Sequence, residues 1–460
     1  MQREFSPSKE LDHLQFTTTL VKVAYGLDLG LLQFIYQVFL YDHFGGNAQA
    51  LKITVSLMVL SAIVILFSEV PTGAWGDYVG RKKAIIACFL FAGVASFFRS
   101  WIYFIPSYFS SLALAVTVVL FNGFSHTLFS GTFTAWVTDS AKKLKATEGH
   151  GPILARAASY GMLAKILGAV ISLALYLSGY VFYAFSLSCV TSILCAIYCG
   201  VTMKETEGMQ FHRGPLPKLG TVVEEMGKII KTGFFSCLET PSLMYLIITT
   251  SSILVLSSIV NGLWPIYMKA NFGVEKMSYY WFAIVFSGMI FAFLGTKWLE
   301  ILQKNFLKKN HHEKSSAFLW NWYITICLLM AAPFLVLGFW HLNYEVNLFL
   351  FIGVFILFNI GYGFLLPADD ILINYYVKTT NSRERATIIS FGSMSFEFFR
   401  MFLLFPSSGS DGKSIAVGWL VPATILVVVA IIMHILMRRH QRRTAAELLN
   451  KDVVVVESGV

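Results

Sequence analysis

Apolar runs long enough to cross a lipid bilayer recur along the whole chain. A transmembrane helix needs about 20 apolar residues to cross roughly 30 Å of hydrocarbon, and we predict twelve such helices in the 460 residues. They lie near 16–41, 52–75, 83–104, 108–138, 153–178, 180–203, 242–268, 277–300, 316–339, 346–376, 386–406 and 415–437. Only 13% of the residues are charged, which is too few to cover the surface of a soluble protein. The sequence therefore predicts an all-α membrane protein.

The basic residues predict which helix ends face the cytoplasm. The net charge is +9, but Lys and Arg lie mostly in short segments on one side of the membrane, so we expect no nucleic-acid partner. With the N-terminus inside, segments such as Arg81–Lys83 are cytoplasmic. The predicted outer loops hold only Lys52, Lys269, Lys276 and Lys413. The positive-inside rule then predicts that both termini are cytoplasmic.

The sequence carries no signature of an enzyme or of a metal site. Its six Cys residues form no C-x-x-C pair and none falls in a predicted outer loop, which disfavours a zinc site and a disulfide framework. No Walker loop is present, so we do not expect ATP to drive a process. We predict no catalytic residue, no cofactor and no metal.

A polar interruption at 204–241 divides the predicted helices into two sets of six. Residues 1–203 are expected to form an N-terminal half, 242–440 a C-terminal half, and 441–460 a cytoplasmic tail. Within the interruption, Thr221–Leu238 has one apolar and one charged face. This pattern predicts a linker helix on the inner surface of the membrane.

The two halves resemble each other at nearly one offset along the sequence. Three matches follow in chain order: His43-Phe44-Gly45 with Asn271-Phe272-Gly273, Asp139 with Asp370, and Ser159-Tyr160-Gly161 with Ser390-Phe391-Gly392. They indicate a parallel pseudo-repeat of six helices. A duplicated bundle of this kind is typical of a secondary transporter, whose halves rock around a site at the membrane midplane.

The loop between the second and third helices carries the most specific motif. Gly73-Ala74-Trp75-Gly76-Asp77-Tyr78-Val79-Gly80-Arg81-Lys82-Lys83 resembles the G-x-x-x-D-R-x-G-R-[KR] loop of the major facilitator superfamily. The twelve-helix plan agrees, so the resemblance covers the chain at the level of topology. Glu69-Val70-Pro71-Thr72-Gly73 also resembles a bacterial subgroup of that superfamily, most of whose members have no assigned substrate.

The resemblance implies contacts that hold the cytoplasmic side closed, which we call the predicted latch. Its members are Gly73, Asp77, Gly80, Arg81, Lys82, Asp139, Asp370 and Arg385. Arg81 would pair with Asp139, and Asp77 would contact the start of the eleventh helix near Arg385. The alternative is that Arg81 and its basic neighbours only anchor the topology.

Two further features of the predicted latch follow from its residue types. Gly73 and Gly76 are expected to let helices approach closely, and Gly80 is expected to allow a tight turn. Tyr78 stands where the superfamily usually has Arg. Either the latch is weaker for that reason, or Lys82 supplies the missing charge.

Four ionisable residues are predicted at a similar depth in the membrane. At about 1.5 Å per residue, they lie roughly 18 to 20 Å from the cytoplasmic ends of their helices. They are Asp28, His126, Lys165 and Glu397. Because burying a charge in a bilayer is costly, we expect each of these residues to have a functional or structural role. A transporter of this architecture holds its solute at this depth.

The chemistry of these residues suggests their roles. Asp28 or Glu397 could carry a coupling proton, because burial disfavours the charged form of a carboxyl group. His126 could do the same, since imidazole titrates near neutral pH. Lys165 could attract an anionic group of the solute or keep a neighbouring carboxylate ionised.

Simpler interpretations of some of these residues stay open. Glu397 and Arg400, three residues apart, could form a local structural pair. His126, with Asn122 one turn away, could make an ordinary hydrogen-bonded contact between helices. Arg99 is expected to direct its charge outward to the membrane interface.

We prefer the hypothesis of a proton-coupled secondary transporter that exports a small organic solute by alternating access. The direction rests on resemblance to exporter-rich groups. One alternative, motivated by Lys165 and Arg400, is a proton symporter that imports an anionic nutrient. Another is a membrane scaffold or sensor without transport. The expected partners are a small solute, protons and the lipid bilayer, and the protein is expected to be a monomer in a bacterial inner membrane.

Overall fold

The computed structural model describes residues 7–33, 35–144, 151–205, 219–306, 312–343, 347–376, 382–404 and 412–457. These residues form helices and short connections, with no strand among them. The helices are α1 (Pro7–Leu32), α2 (Ile35–His43), α3 (Ala48–Val79), α4 (Arg81–Ile102), α5 (Tyr108–Lys143), α6 (Gly151–Leu177), α7 (Val181–Thr202), α8 (Leu219–Glu239), α9 (Pro241–Phe306), α10 (His312–Asn343), α11 (Leu348–Tyr376), α12 (Ser382–Leu404) and α13 (Gly412–Glu457).

The apolar character of these helices identifies a multi-pass membrane protein. Within the described ranges, 10 helical segments are long and apolar enough to cross a membrane. The eighth predicted helix appears as a shorter apolar segment, Tyr280–Gly295, and the eleventh corresponds to α12. Each predicted helix thus has a helical counterpart, and the predicted all-α membrane fold is confirmed.

The predicted linker helix is α8. Helix continuity differs from the prediction in two places. The first predicted helix consists of α1 and α2. The range α9 contains both the seventh and the eighth predicted helices, which are separated by a non-helical residue, Gly273, where φ is 82°. Glycine adopts this angle readily because it has no Cβ. Finally, α13 continues to Glu457, through most of the predicted tail.

The chain forms two compact units. The first contains Met1–Gly227, Ile259–Met289 and Arg400–Gly418. The second contains Lys228–Ser258, Ile290–Phe399 and Trp419–Val460. These bounds differ from those of the predicted halves, so the division of the chain at 203 and 242 stays a prediction.

In the first unit, α1 packs against α6 and α7, α4 packs against α5 and α7, and α3 packs against α5. At the contact between α1 and α6, backbone atoms of the two helices lie directly against each other. A Cβ added to Gly26 would overlap the carbonyl of Gly161, and one added to Gly30 would overlap the carbonyl of Lys165. Small residues at such a crossing let two membrane helices pack at short range. We call this contact the glycine seam.

In the second unit, α10 packs against α11. Phe334 lies edge-on to Phe355, with ring centroids 5.3 Å apart, and both rings lie 5.9 Å from Trp419 of α13. All three side chains are buried. This aromatic cluster ties three helices of the unit together, since aromatic pairs add to the energy of burial.

Candidate functional site

The loop between α3 and α4 forms an ion pair with the end of α5. Gly80 joins the two helices with φ of 109°, a conformation that L-amino acids with a side chain rarely adopt. The turn places Arg81 at the first position of α4. Its Nη1 donates a hydrogen bond to Oδ2 of Asp139, and the Arg81 side chain is 13% exposed. The structure therefore brings together two members of the predicted latch.

Lys82 connects the same turn to α7. Its ammonium Nζ donates to the carbonyl of Gly200 at 2.7 Å, and its backbone N–H donates to Oε1 of Glu205 at 3.2 Å. Trp136 of α5 reaches the same region, because its indole N–H donates to the carbonyl of Lys204 at 2.9 Å. The Lys82 charge is thus held at the C-terminal end of α7.

The expected close approach of helices occurs at Gly76 but not at Gly73. A Cβ on Gly76 would lie 3.2 Å from Oγ1 of Thr132 and 3.4 Å from Cβ of Ala84. A Cβ on Gly73 would meet no atom of the described residues within 4 Å. Among the described residues, the expected close approach is therefore found at Gly76 and not at Gly73.

Three members of the predicted latch lie outside the part of the chain whose side chains are described. They are Asp77, Asp370 and Arg385. Their backbones belong to α3, α11 and α12. The proposed contact between Asp77 and the start of α12 stays a prediction.

Asp28 lies in a buried polar network of the first unit. Only 8% of its surface is exposed. Its Oδ1 accepts hydrogen bonds from the hydroxyls of Ser188 and of Ser192, the latter at 3.3 Å. Ser188 also hydrogen-bonds Ser96 at 2.8 Å. The network joins α1, α4 and α7 within one unit.

Arg99 belongs to the same network and is 4% exposed. Its Nη1 donates to Oγ of Ser96 at 3.2 Å and its Nη2 donates to Oδ1 of Asn122 at 2.7 Å. The guanidinium lies 4.9 Å from the ring centroid of Tyr36 and within electrostatic range of Asp28. The expectation that Arg99 directs its charge outward is wrong, because these partners, remote in sequence, hold the charge inside.

The other predicted midplane residues occupy different surroundings. His126 is exposed on α5, and Arg400, in the same unit, lies within electrostatic range of its ring. Lys165 is half-buried on α6, and its carbonyl faces Gly30. Glu397 belongs to the second unit and is 2% exposed. The proposed roles of these residues in proton or solute binding stay predictions.

Glu69, which the sequence singles out only as part of a motif, is an ionisable residue of the membrane-spanning part. It lies on α3, inside the candidate span Ala48–Gly73. The hydroxyl of Ser130 on α5 donates to its Oε1 at 3.4 Å. Its Oε2 is buried and has no hydrogen-bond partner among the described residues. A charged residue within an apolar run, here four residues before the end of the span at Gly73, is itself the signal that could have identified it.

A second ionic cluster lies at the other end of the first unit. Lys269 of α9 donates from Nζ to Oδ1 of Asp42 and, at 2.9 Å, to the hydroxyl of Tyr176. Tyr176 of α6 donates in turn to Oδ2 of Asp42 at 2.5 Å. We call these three residues the outer cluster, because the predicted topology puts the end of α2 outside.

Comparisons with known proteins agree with this architecture. The family model described as Major Facilitator Superfamily matches residues 18–403. No curated protein matches significantly. Among solved structures, the nucleoside transporter NupG is similar, with 13% identity, a TM-score of 0.57, and coverage of 91% of this chain and 98% of that chain.

Two further transporters have a similar fold. The xylose transporter XylE from E. coli has 14% identity and a TM-score of 0.61, with 92% of this chain and 97% of that chain covered. A POT family transporter in complex with 5-aminolevulinic acid has 14% identity and a TM-score of 0.65, with 93% and 96% covered. At such identities the likeness shows the fold, and the family match shows the relationship. The chain belongs to the major facilitator superfamily: it is a secondary transporter of small molecules embedded in the membrane, and not an enzyme.

Proposed function

We propose that this transporter couples the export of a small organic solute to proton movement by alternating access. The observation that carries the proposal is the set of titratable side chains inside its membrane-spanning helices. Asp28 and Glu397 are carboxyl groups buried in separate units, and His126 is exposed on α5. Intramembrane groups of this kind are the usual material of proton relays in transporters.

The latch is proposed to hold the cytoplasmic side closed in the outward-open state. The ion pair between Arg81 and Asp139 supports this role, because a short charged contact between helices can be broken and remade without unfolding either one. Asp77, Asp370 and Arg385 are proposed as further members. The proposal also puts both termini in the cytoplasm and the protein, as a monomer, in a bacterial inner membrane.

The first experiment identifies a solute and then its coupling. Purified protein is screened for ligands that raise its melting temperature. The screen covers drugs, organic acids and siderophores, and also nucleosides, sugars, short peptides and amino acids, since nucleosides, xylose, a peptide conjugate and 5-aminolevulinic acid are named for the similar structures. A confirmed ligand is then tested for flux into liposomes under an imposed pH gradient.

The direction of flux relative to the gradient separates the hypotheses. Export by antiport predicts that solute and protons cross in opposite directions. A proton symporter importing an anion, which Lys165 and Arg400 favour, predicts that both cross together. If no pH gradient drives a confirmed ligand, proton coupling is wrong.

The same assay addresses the alternative of a scaffold or sensor without transport. We expect Asp28→Asn to abolish the flux while the variant still elutes as a folded protein in detergent. Flux that persists undiminished in this variant would remove Asp28 from the coupling mechanism. If the wild-type protein moves no ligand to which it binds, the scaffold or sensor interpretation is favoured.

A further inference from the structure

A polar stripe runs along the exposed side of α5. His126, Ser130 and Thr134 are all exposed, and their spacing of four residues puts them on one helix face. They lie inside the candidate span Tyr108–Lys143. Ser130 can satisfy its hydroxyl on the carbonyl of Thr127 in its own helix, but an ionisable group such as His126 rarely faces lipid, because the bilayer offers it no hydrogen-bond partner. The exposed stripe therefore presents hydrogen-bonding groups that suit contact with water.

Glu69 meets this stripe at its middle residue. The helices α3 and α5 touch through two successive polar contacts: the hydroxyls of Ser68 and Thr127 lie 3.3 Å apart, and Ser130 donates to Oε1 of Glu69 at 3.4 Å. The second carboxyl oxygen of Glu69 is buried without a hydrogen bond from the described residues. One carboxyl oxygen therefore contacts the stripe, and the other is shielded from water.

No charged side chain on a neighbouring helix is described in contact with Glu69. The helices α2, α4 and α5 pack against α3, and Gly262 of α9 contacts Met58 of α3. Their described titratable and charged side chains within this unit are Tyr36, Tyr41, Asp42 and His43 on α2, Arg81, Lys82, Lys83, Cys88 and Arg99 on α4, Tyr108, His126, Asp139, Lys142 and Lys143 on α5, and Tyr267, Lys269, Lys276 and Tyr280 on α9. Arg81 pairs with Asp139, and Arg99 bonds Ser96 and Asn122. Among the described residues, none of these groups forms an ion pair or hydrogen bond with Glu69.

Glu69 differs from Asp28 in the groups that could compensate a negative charge on its carboxyl group. The Asp28 carboxyl group accepts two hydroxyl hydrogen bonds and has Arg99 within electrostatic range, so its charged form is partly compensated inside the protein whenever its proton leaves. Glu69 has one long hydroxyl contact and no such cation. A carboxylate in a nonpolar medium that lacks a counter-charge is most cheaply neutralised by taking up a proton.

We propose that Glu69 is a proton-binding carboxyl group that exchanges its proton along the polar stripe of α5. This inference deepens the proposed proton coupling and rests on it for its role in transport. A metal cation fits less well, because such ions take several oxygen ligands at once. The described residues place only the hydroxyl of Ser130 at the Glu69 side-chain oxygens, and they contain no group of three or more His, Cys, Asp or Glu able to hold a metal.

The test observes the proton directly and needs no solute. Infrared difference spectra of the purified full chain are recorded between acidic and alkaline buffer, in the C=O stretching region of protonated carboxyl groups. We expect a band that disappears in Glu69→Gln and shifts in Ser130→Ala, which loses the hydroxyl contact. The matched control is Glu239→Gln, an exposed residue at the end of α8, and this variant should keep the band.

Two further measurements cover the cases in which a variant does not fold or the site binds sodium. If Glu69→Gln does not fold, Glu69→Asp keeps a carboxyl group at the site, and the band should move without being lost. Spectra in sodium chloride and in choline chloride should agree, and loss of the band in sodium alone would overturn the assignment to a proton. A band that is identical in wild type and Glu69→Gln would overturn the proposal outright.

The outcome separates this inference from the proposed function. If the Glu69 band is present but no pH gradient drives a confirmed ligand, Glu69 binds a proton and the coupling proposal fails. If a pH gradient drives flux equally in wild type and Glu69→Gln, coupling stands and the role of Glu69 in it fails. Support for both requires the band and a loss of at least tenfold in gradient-driven flux in Glu69→Gln.

Discussion

Arg99 and Asp28 are opposite charges buried in one unit and joined through the hydroxyls of Ser96 and Ser188. A buried charge is tolerated when another charge and hydrogen bonds compensate it. Each member of this network therefore depends on the others, although they come from three separate helices. Removing one charge of this pair is costly mainly because the other charge then stays buried without compensation.

We predict that Arg99→Met lowers the free energy of unfolding by about 3–5 kcal/mol, because it leaves the Asp28 carboxylate without a counter-charge. The measurement is the melting temperature and denaturant midpoint in detergent. The double variant Asp28→Asn with Arg99→Met should be more stable than the sum of the two single effects predicts. Lys204→Met is the control, since its pair with Glu10 is exposed and should contribute less than about 1 kcal/mol. Additive effects of the two substitutions would contradict the idea of a coupled pair.

Some contacts of single residues cannot be predicted from the sequence. Arg99 lies near the outer end of an apolar run, so hydropathy favours an outward orientation, whereas its actual partner Asn122 is on the next helix. The pairing of Arg81 with Asp139 could be anticipated because a motif carries it. The outer cluster could not be predicted from the sequence, because only the fold brings Asp42 and Lys269 together. In the sequence, Lys269 has the features of an ordinary loop charge.

At the scale of elements, the glycine seam is a close backbone contact between two helices of the first unit. The helices α1 and α6 meet where a side chain at Gly26 or Gly30 would overlap backbone atoms of the partner helix. Backbone atoms cannot rotate away as a flexible side chain can. Any added volume must therefore push the helices apart.

We predict that Gly30→Val destabilises the protein by about 1–3 kcal/mol or more, the usual cost of excess volume in a packed interior. The expected readout is a lower melting temperature in detergent together with a weaker monodisperse peak. Gly353→Ala is the control on α11, because an added Cβ there would meet no atom of the described part of the chain within 4 Å and Ala favours a helix over Gly. Equal loss of stability in both variants would mean that the seam has no special role.

Hydropathy located the helices but not their continuity. The twelve apolar runs follow from the length needed to cross the bilayer, and the structure contains a helix for each. Whether the backbone turns between two runs depends on single dihedral angles, as at Gly273 in α9. The same limit applies at the junction of α1 and α2, which falls within one apolar run.

At the scale of the whole molecule, two ionic contacts occupy opposite ends of the first unit. Arg81 and Asp139 lie at the end that the predicted topology puts in the cytoplasm, and the outer cluster of Asp42, Tyr176 and Lys269 lies at the other. Both are partly buried ion pairs. In an alternating-access cycle, contacts at the two ends favour opposite states of access.

We predict that Arg81→Gln and Lys269→Gln shift access in opposite directions. A cysteine placed at Thr134 in a cysteine-free variant should react about two- to fivefold faster with an impermeant maleimide added from the cytoplasmic side in Arg81→Gln, and from the outer side in Lys269→Gln. This change corresponds to about 0.5–1 kcal/mol, the scale of a partly exposed ion pair. Exchange of the two charges in Arg81→Asp with Asp139→Arg should restore the wild-type rate. Faster labelling from the same side in both variants would contradict the assignment of the two ends.

The glycine seam also provides an internal reference for studying the transport cycle. Two helices that touch backbone to backbone at Gly26 and Gly30 have little freedom to slide or roll against each other. Spectroscopic labels placed on α1 and α6 should therefore report one constant separation in every state. Changes in the distance from either label to another helix can then be interpreted as displacement of that helix, because α1 and α6 provide a fixed reference frame.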